Sequence, residues 1–263
     1  MPAKMSDSEM TRLTLEKDDS SANLYEVYVM PCLAEFVGLV IFAFIGTMVT
    51  GYVAPAGNMW LLSIALAHGF TIALLIVAIG HISGGHLNPA VTLGITIAGG
   101  VSWLQGTCYV ISQLLGAMVG AGFTRAILPN ETYVACAGGT HALGAEVSVG
   151  GAILCESIIT MILVLTVLLS AVDPSSAGKS LPPLAIGLAV LVGILAGGPF
   201  SGGSMNPARA FGPAVAAGVW KNHYVWWVGP VIGGLVAGLM YRLFLANTDR
   251  RLIAGNFLKR YVS

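Results

Sequence analysis

The 263-residue sequence predicts an all-α membrane protein in which six spans and two half-helices form an inverted repeat. Three observations lead there. The chain is 56% hydrophobic and 9% charged, with 34 glycines, whereas a soluble domain carries roughly 25% charged residues. Apolar runs long enough to cross about 30 Å of hydrocarbon recur along it. Finally, Ser83-Gly84-Gly85-His86-Leu87-Asn88-Pro89-Ala90 returns as Ser201-Gly202-Gly203-Ser204-Met205-Asn206-Pro207-Ala208, an offset of 118 (201 − 83). The register holds outside the motif. Gly69 pairs with Gly187, Gly80 with Gly198, Gly94 with Gly212, Gly116 with Gly234 and Gly120 with Gly238.

Residues 1–29 read as a polar tail of mixed charge with no apolar core or small-residue cleavage site, so the first span serves as the insertion signal. The membrane domain covers 30–246, with spans near 30–51, 60–80 and 101–127 in repeat one (30–127) and near 149–171, 181–198 and 222–246 in repeat two (149–246). Loop 128–148 joins the repeats and contains Asn130-Glu131-Thr132, an acceptor pattern for N-glycosylation. Asp173 to Lys179 is dense in turn formers and reads as a linker too polar to be buried. Residues 247–263 form a basic tail: Arg250, Arg251, Lys259 and Arg260 follow Arg242 at the end of the last span. Positive charge marks the cytoplasmic side. An even span count then puts both termini in the cytoplasm and loop 128–148 outside. Three spans per repeat is an odd number, so the second copy inserts upside down, with its site near the midplane where the copies meet.

The short segments 88–97 and 207–217 cannot span the bilayer. Asn at the N-cap with Pro at the first helical position is helix-start chemistry. The glycines before each Asn allow unusual backbone. Each repeat therefore dips a loop into the membrane and returns as a half-helix, which hydrocarbon tolerates only when the irregular backbone is buried in protein or lines water. Each half-helix start carries roughly half a positive elementary charge. Two of them facing each other bar cations, hydronium included. The Asn88 and Asn206 amides are expected to donate into the lumen, with carbonyls from Gly84, Gly85, His86 and Leu87, and from Gly202 through Ser204 and Met205, as acceptors.

Glu35 and Glu156 occupy equivalent spans, the first and the fourth. An intramembrane glutamate is a candidate proton relay. The alternative is that each accepts N–H groups from a dipped loop, a need both repeats share. Cys32, Cys108, Cys136 and Cys155 have no metal-ligand spacing, and neither a metal nor a cofactor is expected. Zero net charge gives no reason to expect nucleic acid as a partner. No nucleophile–base constellation appears, so the chain is not read as an enzyme. A coupled transporter would need further intramembrane carboxylates.

Paired Asn-Pro-Ala turns (Asn88-Pro89-Ala90 and Asn206-Pro207-Ala208), each opened by Ser-Gly-Gly and embedded in six spans, resemble the major intrinsic protein family, the aquaporins. The resemblance covers about 30–246. It implies a passive channel for water and small neutral solutes, a homotetramer in the lipid bilayer, and a selectivity ring at His68, Ile194, Gly203 and Arg209. Strict water channels typically place Phe and His at the first two of these positions. Ile194 and Gly203 imply a wider, less hydrophilic ring, like that of the ammonia- and urea-permeable members: aquaporin-8-like proteins and some plant vacuolar-membrane aquaporins. Ammonia, hydrogen peroxide and urea are therefore the expected solutes besides water. Ser204 stands where that subfamily often has cysteine, so mercury block at this site is expected to be weak. A neutral His68 is a candidate to take a proton from ammonium; the alternative is a hydrogen-bonding wall. His141 is either a fifth filter residue folding in from the loop or an exposed loop histidine. His86 is expected at the lumen, His81 packed within the loop, and His223 in an interfacial aromatic belt with Trp220, Tyr224, Trp226 and Trp227. Gly116, Gly120, Gly234 and Gly238 are expected to pack spans within one subunit. The plasma membrane is the expected location, with an intracellular or mitochondrial membrane as the alternative.

Overall fold

Every expected span is a helix. A computed structural model describes residues 24–53, 60–176, 178 and 180–253. The readings made for the polar tail before residue 24, and for Lys259 and Arg260, lie outside those residues. A π-helical turn, Tyr25–Val29, leads into α1 (Met30–Val53). Next come α2 (Trp60–Ser83), the half-helix α3 (Pro89–Ile97) and α4 (Trp103–Ile127). Loop 128–148 holds the short α5 (Asn130–Ala135), and α6 (Val149–Val167) runs on to Val172. The rest is α7 (Pro182–Ser201), the half-helix α8 (Pro207–Ala217) and α9 (Val225–Met240), which continues to Leu245. Among the described residues there is no strand.

Six helices are apolar and 20 to 27 residues long. At 1.5 Å per residue that is enough to cross the hydrocarbon. The first begins at Tyr25 rather than 30, because Leu24, Tyr25, Val27 and Val29 extend its outward apolar stripe. Side chains such as Leu74 (70% exposed) and Val77 (68%) point outward from the bundle, as a lipid-facing surface requires.

The repeat is visible in the packing. α1 lies on α4 as α6 lies on α9, α2 meets α7 across the pseudo-two-fold, and the half-helices cross over, α3 onto α9 and α8 onto α4. At the α2–α7 crossing a Cβ on Gly69 would lie 2.7 Å from the Gly187 carbonyl oxygen, and one on Gly187 would meet the Gly69 carbonyl. Only glycine allows that approach. Gly116 and Gly120 sit against the α1 backbone at Phe36 and Val40, and Gly234 and Gly238 against α3 at Ala90 and Gly94. These glycines pack helices within one chain. Leu87, Val91, Met205 and Ala208 from the dipped segments join Leu39, Phe42 and Leu163 in one apolar core.

One expectation fails here. Asp173, expected in an exposed linker, is buried at 6% exposure. It closes a turn with its Oδ1 accepting from the Ser175 N–H at 2.8 Å, and its Oδ2 accepts from the Tyr241 hydroxyl at 2.9 Å and the Asn247 N–H at 3.0 Å. A carboxylate satisfied by three donors tolerates burial. The reading of Ala177 and Lys179 lies outside the described residues.

Candidate pore and selectivity filter

The two dipped loops have one backbone. Gly84 and Gly202 both have φ +89°, Gly85 and Gly203 both +62°, and Leu87 and Met205 +51° and +53°. Left-handed angles cost a side chain roughly 1–2 kcal/mol, and the paired glycines avoid that at two of the three steps. Asn88 then caps α3, its Oδ1 accepting from the Ala90 N–H at 2.8 Å. Asn206 caps α8, accepting from Ala208 at 3.0 Å and Arg209 at 3.2 Å. Each asparagine also reaches across the centre: Asn88 Nδ2 donates to the Met205 carbonyl and Asn206 Nδ2 to the Leu87 carbonyl, both at 2.8 Å. The half-helix starts are thereby tied to one another from opposite faces. One amide N–H per asparagine remains for the lumen.

Behind each loop a buried carboxylate gathers its N–H groups. Glu35 accepts from the Ser83 hydroxyl (2.7 Å), the His86 N–H (2.8 Å), the Leu87 N–H (2.6 Å) and Gln113 Nε2 (2.8 Å). Glu156 accepts from the Ser201 hydroxyl (2.8 Å), the Ser204 N–H (2.9 Å) and the Met205 N–H (2.8 Å). Neither glutamate is on the wall of the cavities described next. Aromatic donors complete the symmetry: the Tyr109 hydroxyl donates to the Ser83 carbonyl (3.0 Å) and Trp226 Nε1 to the Ser201 carbonyl (2.7 Å). Sequence reasoning missed Gln113, Tyr109 and Trp226 in these roles, because their distance in sequence from the loops gives no local signal.

Two cavities adjoin at Ser204. One of about 610 Å³ opens toward the face carrying both ends of the described chain, and its wall includes His86, Asn88, Asn206, Tyr109 and Arg250. The other, of about 230 Å³, opens toward loop 128–148. Its wall brings together His68, Ile194, Gly203, Arg209 and His141, with Thr50 and Trp60. Gly84, Gly85, Gly202 and Met205 are on one wall or the other. Leu87 is on neither; it is fully buried, and its carbonyl takes the Asn206 amide.

Arg209, 2% exposed, is held on three sides. Its Nε donates to His68 Nε2, its Nη1 to the Gly139 carbonyl and its Nη2 to the Gly46 carbonyl, each at 3.1 Å. A guanidinium has five N–H groups, so two are left for a passing solute. His68 Nδ1 lies 2.8 Å from the Ile64 carbonyl, which fixes the proton on Nδ1 and leaves Nε2 as the acceptor for Arg209. Both ring nitrogens are therefore engaged. Of the two alternatives raised for His68, this favours the hydrogen-bonding wall over proton uptake from ammonium, since its one lone pair already faces an arginine N–H. Gly46 and Gly139, which no local motif marks, complete the cradle. A Cβ on Gly46 would stand 2.5 Å from His68 Nε2 and 2.7 Å from Arg209 Nε.

The loop carrying His141 is pinned by the Gly144 N–H donating to the Phe200 carbonyl at 2.8 Å. The imidazole lies 5.6 Å from the Trp226 ring, and its buried Nδ1 has no hydrogen-bond partner among the described residues. Burial, and next the Arg209 charge, hold it well below the usual histidine range, so it is neutral at physiological pH. His86 Nδ1 lies 3.2 Å from Thr92 Oγ1. His81, expected to pack within the loop, is instead exposed on the last turn of α2. His223 stacks edge-on to Trp220 at 4.9 Å and accepts from Trp227 Nε1 at 3.0 Å.

A sequence model described as Major intrinsic protein matches residues 25–241. The chain belongs to the major intrinsic protein family. Aquaporin-8 of Mus musculus is 45% identical over 230 residues, 87% of this chain and 87% of that protein. Aquaporin TIP4-4 of Zea mays is 43% identical over 222 residues, 82% of this chain and 86% of that protein. The solved structure of the aquaglyceroporin from Plasmodium falciparum matches with a TM-score of 0.70 at 26% identity, covering 81% of this chain and 95% of that chain. As a major intrinsic protein the chain is a multi-pass passive channel for water and small solutes, and not an enzyme.

Proposed function

We propose that this channel conducts water, ammonia, hydrogen peroxide and urea and excludes ions and protons. His68, Ile194, Gly203, Arg209 and His141 form its filter. The observation that carries the reading is the composition of the narrow cavity. One side offers the two free N–H groups of Arg209, while Ile194 offers no polar atom and Gly203 no side chain. A neutral solute somewhat larger than water keeps a donor to bind and gains room on the side of Ile194 and Gly203. Cations meet Arg209 and the two capped half-helix starts, which favour negative charge.

The basic residues Arg242, Arg250 and Arg251 favour a cytoplasmic location for the face carrying both ends of the described chain. Loop 128–148 then faces outward, and the exposed Asn130 is its glycan acceptor. A homotetramer in the plasma membrane completes the reading.

Stopped-flow light scattering of proteoliposomes, challenged in turn with water, urea, peroxide and ammonium gradients, tests it. All four solute pathways should exceed those of empty vesicles. Water flux without urea or ammonia flux would overturn the assignment of a wide filter.

A further inference from the structure

Among the described residues, the wall of the cavity on the terminal face carries one charged side chain, Arg250, alongside His86, Gln105 and Tyr109. Arg250 belongs to the segment after α9, and that segment is tied down at several points. Asp173, at the end of α6, accepts from the Tyr241 hydroxyl and from the Asn247 N–H. Asn247 in turn accepts from the Arg250 N–H, through its carbonyl at 3.1 Å and its side-chain Oδ1 at 3.2 Å. Arg250 Nη1 donates to the Val172 carbonyl at 3.3 Å, and Leu252 N–H donates back to the Arg242 carbonyl at 3.0 Å. A segment held through a buried carboxylate is a built element, since hydrogen bonds to an ionised acceptor are the stronger kind.

We infer that residues 247–253 form a fixed part of the pore mouth, that Asp173 is the positioning residue that latches them, and that Arg250 is a specificity-determining group there. Its guanidinium sets a positive potential in the vestibule, so cations are disfavoured at this end as Arg209 disfavours them at the other. The inference rests on the reading of the 610 Å³ cavity as the conduction path.

The test places a reporter thiol on the same wall, Val101→Cys, in the full-length protein in proteoliposomes. Its modification rates by a cationic and an anionic methanethiosulfonate reagent are compared, with the chain lacking Val101→Cys as background. Arg250→Gln should lower the anionic-to-cationic rate ratio by about tenfold, the size expected for one nearby unit charge in a watery vestibule. Arg250→Lys should restore most of it. Tyr241→Phe and Asn247→Ala, which loosen the latch without changing any charge, should each lower the ratio part of the way toward that of Arg250→Gln. A ratio unmoved by Arg250→Gln overturns the role of Arg250. A ratio moved by Arg250→Gln but by neither Tyr241→Phe nor Asn247→Ala overturns the latch. Osmotic water flux in the same vesicles reports separately on the conduction reading.

Discussion

Replacing Gly46 by alanine puts one methyl group at the point where the filter is assembled. The added Cβ would lie 2.5 Å from His68 Nε2 and 2.7 Å from Arg209 Nε. Ordinary contacts are near 3.5–4.0 Å, so ring and guanidinium must each give way by about 1 Å. Their mutual bond breaks, and the bond from Arg209 Nη2 to the Gly46 carbonyl is strained with it. Overpacking costs about 1–3 kcal/mol, and each hydrogen bond lost by a charged group about 1.5–3 kcal/mol. Alanine's helix propensity returns at most about 1 kcal/mol. The net expectation is a loss of about 2–4 kcal/mol of stability. Because the wedge pushes from the α1 side, both groups move into the lumen, and water flux per channel should fall by about tenfold or more, the equivalent of 1.4 kcal/mol. Gly122→Ala is the matched control: it lies on α4, and a Cβ there would meet nothing within 4 Å. Thermal unfolding in detergent and stopped-flow water permeability at matched protein density measure both variants. Gly46→Ala behaving like Gly122→Ala in both assays would refute the geometry assigned to the filter.

Further predictions concern the acid latch, the filter and the loop carboxylates. Burial alone would raise the Asp173 pKa, but the Asn247 and Ser175 N–H groups and the Tyr241 hydroxyl outweigh it and draw the pKa down from 3.8 to about 2. A lowered carboxylate pKa stabilises the fold fully above the ordinary value and loses that contribution as pH falls through the folded value. The melting-temperature gap between wild type and Asp173→Asn should therefore be constant above pH 5 and close between pH 4 and 2, where about half of the carboxylates would be protonated at the lower limit; a gap that persists unchanged at pH 2 would contradict the latch. Ile194→His puts a polar ring on an apolar wall of the filter, and urea flux should drop relative to water by about tenfold, read from the same stopped-flow traces. Glu156→Gln turns an amide toward the Met205 N–H, which should cost about 1–3 kcal/mol for the buried donor left unpaired and lower the melting temperature, whereas a dispensable proton relay would leave it unchanged.

Much of the fold was legible because its signals are local or periodic. Apolar length placed the six spans, and Asn-Pro after paired glycines placed the starts of α3 and α8. The 118-residue offset (206 − 88) carried the inversion. The positions inferred from spacing to the two motifs, His68, Ile194, Gly203 and Arg209, converge on one cavity, and His141 joins them. What stayed hidden depends on tertiary contact. Nothing near Gly46 or Gly139 signals that their carbonyls hold an arginine 163 and 70 residues away. The same holds for Gln113, which reaches Glu35 from a different span. Asp173 misled because a turn-rich, polar stretch reads as solvated, and its partners Tyr241 and Asn247 lie 68 and 74 residues downstream. For His68 the sequence left two roles open, because tautomer and lone-pair occupancy follow from the Ile64 carbonyl and Arg209, neither of which composition reveals.

The most direct measurement records proton and ion conductance in the very proteoliposomes whose osmotic water permeability has been measured. Two helix starts locked head to head by Asn88 and Asn206, with Arg209 beside them, require fast water flux and conductance no greater than that of protein-free vesicles. Ionic or proton current that scales with the amount of reconstituted protein would contradict the account.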